Sequence, residues 1–121
     1  MGRKERGLKA YKTGLRAETW AALWLMAKGY RVIARREKTK AGEIDLVARR
    51  GHVVAFIEVK ARADVESAAM ALGAMQRERL MRAASLFLAQ RPSLQAHDIR
   101  FDMMLIAPNR WPRHISDAWQ A

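Results

Sequence analysis

Two short apolar runs joined by a tight turn constrain the fold of this chain more than any other feature of its sequence. In the first run Ile44, Leu46 and Ala48 alternate with other side chains, and a second run at residues 53–60 follows a turn at residues 49–52. Such alternation is typical of β-strands, whose successive side chains point to opposite faces. Two strands joined so closely pair as an antiparallel hairpin. We therefore predict a hairpin in the middle of the chain.

The segments on both sides of this hairpin predict an α/β fold. Periodicity and end signals indicate a helix over residues 13–28, a strand over 30–34, a helix over 76–89 and a strand over 98–107. A basic, polar turn is expected at residues 35–41, and the tail after Pro108 is expected to dock without long regular structure. The order α-β-β-β-α-β then gives a central mixed sheet flanked by helices.

The length of the chain, 121 residues, fits one domain. We assign residues 13–121 to that domain. Residues 1–12 carry five Lys or Arg and one Glu with little apolar content, so they are expected to form a basic flexible arm. This arm is either a solubilising tail or a segment that contacts phosphate.

The charge balance indicates the kind of partner. There are 23 Lys and Arg against 12 Asp and Glu, a net charge of +11, which favours polyanions and nucleic acid first among them. The absence of cysteine excludes disulfides, thiolate catalysis and zinc held by Cys ligands. No run of about 20 apolar residues and no signal-peptide pattern is present, so we expect a cytoplasmic protein with no membrane partner.

Three residues of the predicted hairpin form a candidate metal site. Asp45 projects from the face opposite Ile44 and Leu46, while Glu58 and Lys60 share a face of the second strand. Hairpin pairing would bring the two carboxylates together, and their repulsion requires a nearby cation. Oxygen ligands without His or Cys suit Mg²⁺, with Mn²⁺ as an alternative.

Glu18 is a candidate fourth member of this site. It lies on the apolar face of the first predicted helix, where a carboxylate is costly unless something pairs with it. The chemistry that such a set supports is phosphodiester hydrolysis, with Lys60 orienting or deprotonating the attacking water. The alternative is purely structural, an ion pair of Asp45 or Glu58 with Lys60 on a polar sheet face.

Several strings of the sequence resemble a known group of nucleases. The strings are GEIDLVA (residues 42–48), FIEVKAR (56–62) and KGY (28–30), with further likeness through residues 76–88, 100–107 and 113–119. Together they resemble the PD-(D/E)xK nuclease superfamily and, within it, the YraN-like bacterial proteins, which are related to archaeal Holliday-junction resolvases. The likeness covers all of the chain except the basic arm.

The resemblance implies a restriction-endonuclease-like core and a Mg²⁺-dependent endonuclease that acts on DNA, including branched or damaged DNA. It assigns metal binding to Glu18, Asp45 and Glu58 and catalysis to Asp45, Glu58 and Lys60. Glu43 also falls in the motif, where ligation and an ion pair with a nearby Arg or Lys are both open. A non-catalytic nucleic-acid-binding module and a protein-interaction adaptor remain as alternatives.

Basic residues near the hairpin are candidates for nucleic-acid contact, against the alternative of a solvated basic surface. The contact residues that we predict are Arg35, Arg36, Lys38, Gln76 and Arg77. Two of these depart from the family pattern, since Gln76 stands where a lysine is expected and Arg36 where an asparagine is expected. Residues 61–75 directly follow Lys60 and are interpreted as a substrate-dependent flap or a dimer contact. A homodimer is left open.

The histidines and one further acid are not assigned to the site. His52, His97 and His114 are dispersed, and no metal-ligand spacing links them. Asp102 faces away from the apolar side of the last predicted strand, which favours a structural salt bridge with an arginine.

Overall fold

The computed structural model describes residues 15–61 and 73–119. Its two helices and five strands follow one another in the order α-β-β-β-α-β-β, which confirms the predicted α/β class and core order. The elements are α1 (Leu15–Ala27), β1 (Arg31–Thr39), β2 (Gly42–Arg50), β3 (Val53–Ala61), α2 (Ala74–Ala89), β4 (Asp98–Ile106) and β5 (Arg113–Trp119). The predicted basic arm and most of the predicted flap, residues 62–72, lie outside the described residues.

The five strands form one mixed sheet in the spatial order β1-β2-β3-β4-β5. Neighbouring strands are antiparallel except for β3 and β4, which run parallel. A parallel pair needs a crossover, and α2 lies in that connection. The predicted hairpin is β2 and β3, with Leu46 opposite Ile57 and Arg50 opposite Val53.

Apolar side chains cover both faces of the sheet, with one helix packed on each. On one face the α1 residues Ala21 and Leu25 pack with strand residues such as Ile57. On the other face Leu80 and Phe87 of α2 belong to a larger core. A sheet that is buried on both faces has little room for charge, so any carboxylate within it must be accommodated by specific partners.

Strand β1 is longer than predicted, and the turn expected at residues 35–41 is wrong. The strand continues to Thr39, and the chain reverses between Thr39 and Gly42. The Thr39 hydroxyl donates to the Gly42 carbonyl oxygen at 2.7 Å and accepts from the Ala41 N–H at 3.1 Å. The charged composition that suggested a turn is tolerated because β1 is an edge strand, where charged residues discourage unwanted pairing.

The tail was expected to lack long regular structure, and this expectation is wrong as well. Residues Arg113–Trp119 form β5, which pairs antiparallel with β4. The left-handed backbone of Asp117, with φ of 54°, and a register shift next to Phe101 break the alternation that would have marked the strand. No helix within the described ranges is both long and apolar enough to cross a membrane.

Candidate metal and nuclease site

The hairpin register brings Asp45 and Glu58 together at the open end of the β2–β3 pair. Leu46 and Ile57 form the last backbone pair of the ladder, and the two acids come next on their strands. Beyond that pair, Asp45 Oδ2 accepts a hydrogen bond from the Val59 backbone N–H at 2.8 Å. The Asp45 side chain therefore closes the ladder and is held beside Glu58.

The expectation that Ile44 and Leu46 share one face of β2 is wrong. Ile44 packs in the core beneath α2, whereas Leu46 packs beneath α1. The change of face falls at Asp45, between the pair of Leu46 with Arg35 and the pair of Ile44 with Glu37; Arg36 lies between the same two pairs on β1. Arg36 has a left-handed backbone with φ of 50°, so both strands are irregular here. At this irregular position the Asp45 side chain points toward the neighbouring strand β3 and not straight out of the sheet.

Burial, followed by the charge of Glu58, raises the pKa of Asp45 to about 7. The hydrogen bond from Val59 and the charge of Lys60 act in the opposite direction, while contact between the two carboxyl groups raises the pKa further. Near neutral pH Asp45 is therefore poised between its protonated and charged forms. A group in this condition is stabilised by any additional positive charge at the site.

Glu58 is buried between two cationic side chains. Its Oε1 lies 3.4 Å from Lys60 Nζ and 3.8 Å from Arg79 Nη2. Its Oε2 is buried and receives no hydrogen bond from any residue within the described ranges. The predicted grouping of Asp45, Glu58 and Lys60 is therefore present as a compact cluster, with one carboxylate oxygen left open.

Arg79, which is not among the contact residues predicted from the sequence, lies beside the site and contacts Glu58 directly. From α2 its Nη1 donates to the Glu43 carbonyl oxygen at 3.3 Å, and its side chain passes over Gly42. A Cβ at Gly42 would lie 2.4 Å from Nη1 and 3.2 Å from Cδ of this arginine. Gly42 therefore leaves the space through which Arg79 reaches Glu58. The docking of α2 on the sheet creates this contact, and no local sequence pattern announces it.

Glu18 is buried, as predicted, and its partner is an arginine. Its Oε2 accepts a hydrogen bond from Arg35 Nε, and Arg35 also donates to Thr19 Oγ1 at 2.9 Å. The other oxygen, Oε1, is buried without a hydrogen-bond donor among the described residues. Glu18 is not part of the contact between Asp45 and Glu58, and its role as a metal ligand stays a prediction.

The donor set of the cluster suits a hard divalent cation. Asp45 and Glu58 present carboxylate oxygens, one of them buried and unsatisfied, in a place that already disfavours two negative charges. Across residues 15–61 and 73–119, no three or more His, Cys, Asp or Glu side chains are grouped closely enough to hold a metal ion. Mg²⁺ is commonly held by one or two carboxylates and keeps several waters, and Asp45 and Glu58 supply two carboxyl groups.

The residues predicted to contact nucleic acid occupy different environments. Arg36 lies 3.6 Å from Glu43, and Lys38 is exposed on β1. Arg77 is exposed with its guanidinium 5.9 Å from the Trp119 ring centre. Gln76 is half-buried, and its Oε1 lacks a hydrogen-bond donor in the described part of the chain. Their predicted contact with nucleic acid is not established by this arrangement.

A second polar cluster, centred on Asp102, links β4 to β5 and α1. Asp102 is fully buried and accepts two hydrogen bonds from Arg100, which confirms the predicted salt bridge. It also contacts His114 Nε2 at 2.7 Å and accepts from the Asp117 N–H at 2.9 Å, while His114 Nδ1 lies 2.8 Å from Lys28 Nζ. Burial alone would raise the pKa of Asp102, but these hydrogen bonds outweigh it and lower the pKa.

Sequence comparison gives the family to which this architecture belongs. The sequence profile of the uncharacterised protein family UPF0102 matches residues 17–106, which include Glu18, Asp45, Glu58 and Lys60. A UPF0102 protein of Parvibaculum lavamentivorans is 56% identical over 119 residues, covering 98% of this chain and 90% of the relative.

Further relatives carry the same family name. A UPF0102 protein of Paramagnetospirillum magneticum is 53% identical over 115 residues, covering 92% of this chain and 89% of the relative. A UPF0102 protein of Caulobacter vibrioides is 52% identical over 117 residues, covering 97% of this chain and 94% of the relative. The family-level resemblance to YraN-like proteins is thereby confirmed, and the chain belongs to the family UPF0102.

Proposed function

We propose that this protein is a Mg²⁺-dependent endonuclease that hydrolyses phosphodiester bonds of DNA, with branched or damaged DNA among its substrates. The observation that supports this most is the cluster of Asp45, Glu58 and Lys60, in which burial and then the charge of Glu58 raise the pKa of Asp45, and one oxygen of Glu58 has no hydrogen-bond donor among the described residues. A purely structural ion pair has no need for a second acid beside Glu58.

Asp45 and Glu58 would hold the ion, with Glu18 as a further ligand, directly or through water. The ion supplies positive charge against the phosphate oxygens as negative charge develops on them. Mn²⁺ fits the same oxygen set. The Val59 N–H fixes one oxygen of Asp45, and Lys60 and Arg79 restrict Glu58, so both carboxylates are held in place before substrate arrives.

Lys60 is suited to act on the water that attacks phosphorus. Its ammonium lies beside Glu58, on the strand that carries both residues, and is largely buried. As an ammonium, Lys60 can orient the water and offset negative charge in the transition state, and after losing its own proton to solvent its neutral amine can accept a proton from the water. Arg79 adds a second cation on the α2 side of Glu58 and is placed to contact a phosphate oxygen.

The positive surface supports nucleic acid as the substrate class. The net charge of +11 attracts the phosphate backbone, and Arg35, Arg36, Lys38, Gln76 and Arg77 are the proposed contacts. Arg35 also neutralises Glu18, so a phosphate bound there would compete with an existing ion pair. Arg36 likewise lies 3.6 Å from Glu43, so exposed Lys38 is the freer phosphate contact on β1.

The test is a cleavage assay with Mg²⁺ or Mn²⁺ on linear, nicked, flapped and four-way DNA. We expect metal-dependent cleavage of at least one substrate, abolished by Asp45→Ala and by Lys60→Ala. Lys40→Ala, which removes an exposed lysine from the β1–β2 turn, is the matched control and should cleave normally. If the wild-type protein leaves all four DNAs intact, the endonuclease proposal fails.

The second candidate is a nucleic-acid-binding module that keeps the fold without turnover. The pairing of Glu18 with Arg35 favours it, because that arginine already satisfies an acid that the nuclease reading assigns to the metal. In this case Asp45→Ala leaves DNA affinity unchanged or strengthens it, since a negative charge near phosphate is removed. Binding measured without metal, beside the cleavage assay, separates the two candidates.

A further inference from the structure

We infer that Trp24 and Trp111 form a stacking platform for an unpaired nucleobase on the α1 face of the sheet, which is the face opposite the α2 side where Lys60 and Arg79 contact Glu58. The two rings are stacked with their centres 5.6 Å apart and their planes 29° apart. Trp24 is half-buried on α1, whereas Trp111 is 80% exposed. The pair therefore presents a broad aromatic surface that the described part of the chain leaves largely uncovered.

The loop that carries Trp111 is shaped to present the ring. It runs from Ala107 to Pro112, between β4 and β5, and Asn109 adopts a left-handed turn conformation with φ of 61°. Pro108 and Pro112 each fix their own φ, and Pro112 also restricts Trp111 to extended backbone. The exposed Trp111 ring lies on a loop whose backbone is restricted by the two prolines, so the ring is preorganised for contact with a partner.

Trp24, the other ring of the platform, is carried by α1, whose end is tied to β5 by the Asp102 cluster. Lys28, one residue beyond the end of α1, contacts His114 of β5 at 2.8 Å, and His114 contacts buried Asp102 at 2.7 Å. This chain of contacts ties the helix that carries Trp24 to the strand that follows Trp111. The separation of the two rings is thus fixed by packed elements on both sides.

Charge around the platform favours a nucleic-acid strand. Residues 107–113 contain two arginines and no acid, and Arg110 and Arg113 are both exposed on either side of Trp111. Proteins that bind single strands combine aromatic rings, on which bases stack, with cations that follow the backbone. An apolar protein partner would match the rings but not this cationic rim.

The sheet register places the platform near the proposed site. Lys60 is opposite Leu105 on β4, and Leu105 is opposite Arg113 on β5, which begins two residues after Trp111. Two strand spacings separate the backbones of Lys60 and Arg113, about 10 Å. Lys60 shares the α2 face of β3 with Phe56, whereas Trp24 packs on the α1 face. One strand of DNA that contacts both places must therefore pass around the end of the sheet. This inference rests on the proposed function for the identity of the strand, and it specifies substrates with unpaired bases.

Binding to single strands with and without bases tests the platform. The probes are a thymine oligonucleotide, its RNA counterpart and a strand of equal length in which abasic sugars replace the nucleotides. We expect Trp111→Ala in the full chain to weaken binding of the thymine strand by about 5- to 150-fold, as expected for the loss of one stacked base. Binding of the abasic strand should stay unchanged, and Trp111→Phe should retain most of the affinity. The RNA arm shows whether the sugar matters.

Met26→Ala is the matched control, because Met26 is an exposed apolar residue of α1, 55% exposed, outside the stacked pair. It should bind both strands normally. Equal affinity of the wild-type protein for thymine and abasic strands would overturn the platform, as would Trp111→Ala changing self-association while leaving base-dependent binding intact. The wild-type protein could also bind no Mn²⁺ and yet bind the thymine strand more tightly than the abasic strand. That result would overturn the nuclease proposal and support the platform.

Discussion

Asp45 combines two features that rarely occur together, a burial that disfavours charge and a neighbour that carries the same charge. The pKa of Asp45 is raised from 3.8 to about 7 in the folded protein. The ionised carboxylate therefore has a higher free energy in the folded protein than in the unfolded chain. The folded state therefore loses stability as pH rises between these two values. An ionisable residue that lowers the stability of the fold in this way is a candidate functional residue.

This reasoning predicts that Asp45→Asn stabilises the metal-free protein. The amide oxygen can still accept the hydrogen bond from Val59, while the buried charge and its repulsion by Glu58 disappear. We expect a gain of about 1–3 kcal/mol in the free energy of unfolding at about pH 8 and little gain near pH 4. Urea unfolding with a chelator present measures it. A variant that is less stable than wild type at about pH 8 would contradict this view of the site.

Gly42 and Gly51 offer a matched pair of substitutions in the same sheet. Both have positive φ, 136° and 60°, but only Gly42 would place a Cβ against Arg79, since nothing lies within 4 Å at Gly51. Gly51→Ala should cost about 1 kcal/mol of stability from backbone strain alone. Gly42→Ala should cost about 2–3 kcal/mol in urea unfolding, because φ of 136° is more strained for alanine than φ of 60° and because Arg79 must move. It should also lower any DNA cleavage, since Arg79 must leave Glu58. Cleavage at the wild-type rate would show that the Arg79 contact is unimportant.

Much of the site was predictable at the residue scale because a tight turn fixes hairpin register. Counting back from the turn places Asp45 opposite Glu58, and strand alternation places Lys60 beside Glu58. The contact of Arg79 with Glu58 and the pairing of Glu18 with Arg35 were not predictable, since they depend on how helices dock on the sheet. Nor did alternation reveal the change of face between Ile44 and Leu46, because the left-handed backbone of Arg36 has no signature in its residue type.

At the scale of elements, β5 depends on the Asp102 cluster more than on its own composition. The strand contains His114, Ser116 and Asp117, and its polar character and left-handed residue hid it from sequence analysis. Pairing with β4 and the hydrogen bonds from His114 and Asp117 to Asp102 supply the stability that its intrinsic strand preference lacks. Only the first half of β1 was predicted from the sequence. Its second half, residues 35–39, is rich in charged residues and still forms a strand because β1 lies at the edge of the sheet.

Removing the charge of Asp102 should therefore loosen β5. Asp102→Asn leaves Arg100 without its buried counter-ion, and we expect a loss of about 3–5 kcal/mol at neutral pH. Because the pKa of Asp102 is lowered in the folded protein, its contribution is present above the ordinary Asp pKa. It is lost as pH falls through the lowered pKa.

Unfolding in urea at neutral and acidic pH checks both the size and the sign of this effect. Asp98→Asn, which changes an exposed acid on the same strand, serves as the control and should stay near wild type. A variant at Asp102 that unfolds as wild type does at neutral pH would contradict the anchoring role. A deficit that grows toward acidic pH would have the wrong sign.

At the scale of the whole molecule, the excess of 11 positive charges governs association more than fold. The family match spans both helices and four of the five strands, and its residues 17–106 carry 15 Lys and Arg against 10 Asp and Glu, a net charge of +5. Residues 1–16 carry a further +5. Within the matched part, Lys60 and Arg79 lie beside the carboxylate cluster. Phosphate that approaches the cluster would be repelled by the Asp45 and Glu58 carboxylates unless a cation lies between them.

We predict that DNA binding falls steeply with salt. If about 6–10 phosphates are contacted, affinity should drop by roughly 10³–10⁵ between 50 mM and 200 mM salt. Fluorescence anisotropy with labelled duplex, measured in the presence of chelator, gives the slope. Affinity that does not weaken as salt rises would favour the protein-interaction adaptor over both nucleic-acid functions.

The central claim is that Asp45 and Glu58 hold a divalent metal ion, and calorimetric titration with Mn²⁺ tests it without any choice of substrate. We expect the wild-type protein to bind the ion, with affinity that rises as pH increases through about 7 because Asp45 must lose its proton. Asp45→Asn should abolish the binding, and Asp98→Asn should leave it unchanged. A wild-type protein that takes up no Mn²⁺ above pH 7, or an Asp45→Asn variant that binds it equally well, would contradict the metal site.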